Sequence, residues 1–423
     1  MIDHTIEKGA MRQSRVLIIG GGAAGLCAAI ASARLGAAVT VLEAGPRAGR
    51  KILASGNGRC NLTNLSVSPH AFSHPDFVEP VLRAYPYEGV GSFFGELGLL
   101  TFADDEGRVY PVTNSASSVL DVLRLECAHL GVEVRCGLEV ELVSTDPSTG
   151  GFRVTAKDGE EVSGESVVVT TGGGSPLLAD LGHESVETVP VLGPVRTDTV
   201  PIRGLSGVRV RCAATVFVDV GDDGTGGDRV ATERGELLFR DYGVSGIVVF
   251  ELSRHLEPGC VVSIDFFPDI DPQELRAMVS QRAMALHWRT AETFFTGMLH
   301  DRVARAVVRA AGIGQNTPVE ELPQAGLAAL LKDFRLSVIG IGDARQAQVT
   351  RGGASVAEFD SDTMASRRVG GLFAAGEVLD VDARSGGFNL HWAWASGIVA
   401  GEAAARHAIA RLAKADVDSK DPE

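Results

Sequence analysis

The stretch RVLIIGGGAAGLCAAIASARLGAAVTVLEAG, residues 15–45, leaves few folds open. A short apolar run, Val16–Ile19, meets a glycine cluster; an alanine-rich helical stretch follows, and a second apolar run ends on Glu43. That order spells a strand–helix–strand unit. Within it Gly20, Gly22 and Gly25 form G-x-G-x-x-G. The first glycine permits the tight turn, the second lets a pyrophosphate approach the backbone, and the third lets the helix pack on the strand. The helix start, Gly22 with Ala23, Ala24 and Gly25, offers free N–H groups and a positive dipole end to phosphate. Glu43 ends the second strand where a ribose-hydroxyl acceptor is expected. An acid there, rather than an arginine, favours FAD or NAD over NADP.

Three further glycine clusters favour FAD over NAD. Thr171-Gly172-Gly173-Gly174 follows the strand-like Val167–Thr170, Gly376-Glu377 and Asp380 follow Leu372–Ala375, and Ser385-Gly386-Gly387-Phe388-Asn389 opens the last helix. A long extended cofactor touching several strand ends needs such backbone-exposing turns. The last helix would set its dipole against the flavin N1–O2 edge. A fourth segment, GRKILASGNGRCNLTN over residues 49–64, is too polar and glycine-rich for a core element. Gly56, Asn57 and Gly58 tolerate positive φ, so successive N–H groups can face a flavin ring. Arg50, Lys51 and Arg59 add positive charge. Cys60 has no second cysteine within reach in Asn57–Asn64, which argues against a redox disulfide. A small residue packed beside the cofactor is the favoured reading, ahead of a low-pKa thiol near Arg59.

The chain has 423 residues, enough for two or three domains, with 45% hydrophobic and 22% charged residues, a globular composition. Its net charge of −15 argues against general phosphate-backbone binding, and so against a nucleic-acid partner. No apolar run reaches membrane-span length, and MIDHTIEKGAMRQSR lacks the apolar centre of a signal peptide. The scattered Cys27, Cys60, Cys127, Cys136, Cys212 and Cys260 form no C-x-x-C and no zinc spacing. A cytoplasmic protein with reduced thiols, no metal and no membrane contact is expected.

Residues 14–190 read as the first part of an α/β FAD-binding domain and 345–412 as its second part. Between them, 191–344 read as an inserted substrate domain, β-rich over 191–270 and helical over 271–335. Residues 1–13 and 413–423 read as flexible ends. Ser115 or Ser117 is the expected N-cap of a helix near 117–130, and Ser245 a candidate N-cap for the helix that VSGIVVFELS suggests. Asp241 and Tyr242 are candidate proton donors or substrate contacts. Trp392 and Trp394 read as core, and His391 as a satisfied polar residue rather than a base. VIGIGDAR and AAGIGQN contain G-x-G without a strand–helix–strand context, so no separate NAD domain is expected.

The segments GRKILASGNGRCNLTN, GRVYPVTNSASSVLDVL, GELLFRDYGVSG and GLFAAGEVLDVDARSGGFNLHWAWASGIVAG resemble signatures of one bacterial family of NAD(P)/FAD-dependent oxidoreductases, the BaiN-like or aminoacetone-oxidase-like flavoproteins. The resemblance runs from about Val16 to Ala404. It implies a Rossmann-like FAD-binding domain of glutathione-reductase type, interrupted by an inserted β-barrel-like plus helical domain. Carried over by position, it implies that Gly20, Gly22, Gly25 and Glu43 hold the ADP half and that Arg50 and Lys51 lie near phosphate or ribose. Gly56 to Asn61 would wrap the flavin, with Gly172, Gly173, Gly376 and Glu377 near the pyrophosphate and ribityl chain. Asp380 would neighbour the ribityl, and Gly387, Phe388 and Asn389 the pyrimidine end. TTGGGSPLLADLGH is shorter than the family's stretch, and Ile247 stands where proline is common. The implied activity is hydride transfer between flavin N5 and a small organic substrate, a C=C or related reduction with NAD(P)H as transient donor. Oxidation of a small amine by O₂ is the first alternative. A flavin-binding scaffold or accessory protein with little turnover is the second.

Overall fold

Apolar runs without polar alternation must be covered on both faces. In the computed structural model, which describes residues 14–147, 149–221, 225–342 and 347–418, such runs form the middle of a five-stranded sheet. Its order is Leu372–Ala374, Ser166–Val169, Arg15–Ile19, Ala38–Glu43, Glu133–Cys136, with every neighbouring pair parallel. The strands Ser166–Val169 and Leu372–Ala374 are buried throughout; Glu133–Cys136, on the edge, is largely exposed.

The chain forms two units, Met1–Val189 with Val349–Glu423, and Pro190–Gln348. In the first, the helix Ala23–Arg34 packs along the final helix Phe388–Asp418. Small residues let the two backbones touch: a Cβ on Gly397 or Gly401 would run into the backbone of Ala24 or Ala28. Because Gly397 meets Ala24 and Gly401 meets Ala28, the helices run parallel and their N-termini lie at one end. Ser32 Oγ donates to Gly401 O (2.7 Å) across the same seam. The first unit also carries the sheets Thr63–Asn64/Arg108–Pro111/Thr101–Ala103 and Val140–Thr145/Phe152–Ala156/Glu161–Gly164.

The second unit holds a closed barrel in the order Val195–Thr197, Gly243–Ser245, Asp228–Arg240, Arg209–Val218, Val261–Asp265, Phe334–Ile341. Four helices follow its fifth strand: Pro272–Ala285, Ala291–Phe294, Asp301–Ala310 and Gln324–Lys332. They share one core with the barrel, including Leu275, Val279, Val307, Leu327 and Phe334. The chain leaves the first unit along Ser185–Val191 and returns along Val349–Ala354, which pair as a two-stranded sheet.

Several local expectations need correction. The final helix continues to Asp418, so residues 413–418 are helical rather than a loose end, while 1–13 and 419–423 lie outside the described residues. Ser245 is the last residue of a strand, and the following helix is capped by Gly246 with φ 99°. Only glycine sits easily at that angle. Ser115 is the N-cap of Ala116–His129, but its hydroxyl pairs with Ser117 Oγ (2.8 Å) instead of a backbone N–H. The strand Phe334–Ile341, which closes the barrel, falls where the sequence offers a bare G-x-G.

Candidate functional site

The site is built at the carboxyl ends of the parallel strands, where open α/β sheets place their ligands. Gly20 turns the chain with φ 102°, and a Cβ there would lie 2.6 Å from Thr170 O. A Cβ on Gly25 would collide with Gly20 O and come within 2.7 Å of Thr170 Oγ1. These two glycines are demanded by the protein's own packing. Gly22 is not: its φ of −81° suits any residue, and a Cβ there would meet no atom within 4 Å. The open space lies at the first turn of Ala23–Arg34, whose N-cap supplies no side-chain bond to the free N–H groups. Ala23, Ala24 and Gly25 therefore present unsatisfied donors and a positive dipole end to whatever fills that space.

Glu43 is held by two backbone bonds, Gly21 N–H to Oε2 (2.7 Å) and Gly45 N–H to Oε1 (2.7 Å). Each carboxylate oxygen keeps a lone pair for a ribose hydroxyl. Lys51 Nζ pairs with Glu377 Oε2 (3.0 Å), and Glu377 Oε1 accepts from Thr350 N–H (2.6 Å). A Cβ on Gly172 would lie 3.2 Å from Lys51 Nζ, one on Gly173 would overlap Thr350, and one on Gly376 would sit 2.9 Å from Ala24 Cβ. Lys51, Gly172, Gly173, Gly376 and Glu377 thus come together from three chain segments, with Gly376 against the first turn of Ala23–Arg34, while Arg50 is exposed and lies near Gly45.

The residues of the 49–64 segment do several jobs. Gly56, Asn57, Gly58 and Cys60 all have positive φ, at 55°, 56°, 85° and 57°. A Cβ on Gly56 would lie 2.7 Å from Asn61 N, whereas one on Gly58 would meet nothing within 4 Å. Arg59 is not a free cation: its guanidinium lies 4.1 Å from the Tyr110 ring centroid, and Nε and Nη2 donate to Asn114 Oδ1 (3.1 and 2.9 Å). It braces the loop against the small sheet. Cys60 is fully buried, and burial pushes its thiol up to about 11 despite the Ser55 hydroxyl. It stays protonated at neutral pH, and all six cysteines are free. We expect Cys60→Ala to keep its flavin and its turnover within about twofold, since an inert buried thiol contributes packing alone; an absorbance spectrum of the purified variant checks this.

The other end of the site is the start of the final helix. Gly387, with φ 101°, lies against Thr63 O so closely that a Cβ would collide. Hydrogen-bond partners set the Asn61 amide, with nitrogen donating to Thr63 O (3.1 Å) and oxygen accepting from Gly387 N–H (3.2 Å). Asn389 closes the preceding loop on itself through Ala383 N–H and Ala383 O (2.8 Å each). Phe388 is buried beneath the Arg384 guanidinium (4.6 Å) and edge-on to Phe72 (6.4 Å). Asp380 is fully engaged, with Oδ1 accepting from Gly352 N–H and Oδ2 facing His74 Nε2 (3.1 Å each). Three side chains of the final helix fasten this end, and His391 is the satisfied polar residue that the sequence suggests. His391 joins Thr63 and Tyr85, Trp392 Nε1 donates to Gly376 O (3.2 Å), and Trp394 Nε1 donates to Leu62 O (2.9 Å). The partners of His391 and Trp394 are hundreds of residues away, so spacing alone carried no signal for them.

Asp241 and Tyr242 belong to the other unit, in the turn between Asp228–Arg240 and Gly243–Ser245. Asp241 is exposed. The Tyr242 hydroxyl is buried with no hydrogen-bond partner, and the Arg240 guanidinium lies 6.0 Å from its ring. Among the described residues no His/Cys/Asp/Glu group is arranged to hold a metal ion, and no helix is long and apolar enough to cross a membrane.

Two helix N-termini at one end of a parallel sheet, an anchored acid on the neighbouring strand and turns opened by glycine define a dinucleotide-binding flavoprotein domain, and an extended FAD fits it. Residues 14–403 match the family described as HI0933-like protein Rossmann domain, and the chain belongs to that family. It is 34% identical over 416 residues to the 3-dehydro-bile acid delta(4,6)-reductase of Clostridium scindens, covering 93% of this chain and 99% of that one. It is 31% identical to the ribosomal RNA dihydrouridine synthase of Escherichia coli, over 91% of this chain and 96% of the relative. The corresponding protein of Haemophilus influenzae is 30% identical, over 90% and 96%. The protein is an FAD-dependent oxidoreductase.

Proposed function

We propose that the enzyme reduces a carbon–carbon double bond conjugated to a carbonyl group, with NAD(P)H as the source of electrons. One observation carries this reading: relatives named for unlike substrates share that chemistry. The Δ4 and Δ6 double bonds of a 3-dehydro steroid extend from its 3-oxo group, and the bond saturated in dihydrouridine is conjugated to a ring carbonyl. Reduction of a conjugated bond of this kind adds a hydride at the far end of the conjugated system and a proton to carbon nearer the carbonyl.

Bound FAD supplies the two-electron chemistry. The chain's residues do the rest. The first helix start holds the phosphates, Glu43 the ribose, and the Gly387 end of the final helix favours negative charge on the reduced ring. The buried, protonated Cys60 diverts no electrons. Six free thiols suit a reducing cytoplasm.

A second reading concerns the substrate. Two relatives are named for ribosomal RNA, so a uridine within RNA stands beside a small enone as substrate class. Net charge over the whole chain does not decide between them.

The test is anaerobic titration of the purified flavoprotein with NADH and NADPH, followed by a small cyclic enone or by uridine-containing RNA. Bleaching by the donor and recovery of the oxidised spectrum on adding one of these acceptors is the expected result. Recovery only on admission of air, with peroxide formed, would replace the reductase by an oxidase. No bleaching by either donor would favour the flavin-binding scaffold.

A further inference from the structure

The chain's negative charge is unevenly spread. Residues 190–348 carry 17 Lys and Arg against 20 Asp and Glu, so the acidic excess resides in the flavin unit. In the flavin unit Arg34, Arg108, Arg135, Arg153, Arg367, Arg368 and Arg406 each pair with a carboxylate.

The helix Asp301–Ala310 of the second unit is different. Its sequence DRVARAVVRA places Arg302, Arg305 and Arg309 at i, i+3 and i+7, within about 60° of one another around the axis. All three are exposed, and the opposite side, with Val303, Ala304, Ala306, Val307 and Val308, is buried in the core. Arg302 Nη1 donates to Ser206 O (3.1 Å) and Arg309 Nη2 to Arg203 O (2.8 Å). These bonds lay the 203–206 loop along the stripe and bring a fourth exposed arginine, Arg203, into it. None of the four makes an ion pair among the described residues. Asp301 is the one acid on the same helix. Like charges one turn apart repel, and bonds to carbonyl oxygens leave their charge uncancelled.

We infer that this arginine stripe is a docking surface for the phosphate backbone of RNA. Arginine presents a planar fork that matches phosphate in a bidentate way. Arg302 to Arg309 span about 10 Å along the helix, room for neighbouring phosphates of one strand. A membrane does not suit the stripe, because the helix's apolar side is already buried and has nothing to insert. The choice of RNA over DNA rests on the second substrate reading above; the existence of a phosphate-binding surface rests on the stripe.

The experiment is fluorescence anisotropy of a labelled RNA stem-loop against the FAD-loaded enzyme across a salt series. Arg203→Glu/Arg305→Glu is the primary variant, since neither side chain holds a bond in the fold; Arg302→Gln/Arg309→Gln is the second. The expected result is wild-type binding that weakens steeply with salt. In the primary variant affinity falls by about tenfold or more and the salt slope becomes shallower, with flavin spectrum and enone reduction unchanged. Absence of wild-type binding at low salt, equal binding by the variant, or preference for anionic lipid vesicles would overturn the inference, and tighter binding of a DNA stem-loop would overturn the choice of RNA. RNA that binds through the stripe but never reoxidises the reduced flavin would sink the RNA-substrate reading and leave the surface standing.

Discussion

Gly22→Val is expected to give a folded protein that purifies without flavin. The position separates folding from binding more cleanly than any other glycine of the motif. Its φ of −81° is ordinary, and a Cβ would enter space that no protein atom occupies within 4 Å. A branched side chain there costs the fold little, yet it stands where the backbone must admit a pyrophosphate. Losing one or two charge-assisted bonds, each worth about 1.5–3 kcal/mol, would weaken FAD binding by about 100-fold or more. The neighbouring Gly25→Ala should fail differently. Its methyl would meet Gly20 O and Thr170 Oγ1, and overpacking of this kind costs about 1–3 kcal/mol, so the melting temperature itself should drop. Circular dichroism and flavin absorbance on the two variants distinguish the cases. A yellow Gly22→Val protein would show that the phosphates lie elsewhere.

This contrast also shows what the sequence could and could not reveal. The G-x-G-x-x-G turn is legible because each glycine's requirement is local: a tight turn, a close helix, an open approach. The central strands of the flavin sheet are legible for the same reason, since buried parallel strands read as short apolar runs followed by glycine; their order in the sheet is set by distant partners. Closure of the barrel by Phe334–Ile341 was hidden, because a strand pairing with Val195–Thr197 and Val261–Asp265 is specified by distant partners. The 49–64 segment shows the same limit: the contacts of Arg59 with Tyr110 and Asn114 lie far along the chain and leave no signal in the segment itself. Net charge averages over the whole surface: a chain at −15 still carries a stripe of exposed arginines that make no ion pair among the described residues.

His391 should make the flavin unit lose stability in mild acid. Its Nε2 faces Tyr85 O (3.1 Å), and a carbonyl can only accept, so Nε2 carries the proton and Nδ1 accepts from the Thr63 hydroxyl (2.7 Å). The ring is wholly buried, and burial lowers its pKa from 6.5 to about 4. Between those values the unfolded chain binds a proton that the folded one refuses. Stability is therefore fully present above pH 6.5 and falls as pH drops towards 4. The slope approaches 1.4 kcal/mol per pH unit, and the total is about 3 kcal/mol. Burial also lowers His183 and His407, which tilt the curve the same way, so the effect is isolated by subtraction. His391→Gln should be less stable than wild type at pH 7.5, where it forfeits two buried hydrogen bonds. The gap should narrow by about 3 kcal/mol as the pH approaches 4. Thermal release of flavin, followed by its fluorescence at half-unit pH steps for both proteins, measures that gap. A gap that stays constant across the range would mean that His391 takes up its proton in the fold as readily as in the unfolded chain, and the neutral Thr63–His391–Tyr85 bridge at the start of the final helix would be wrong.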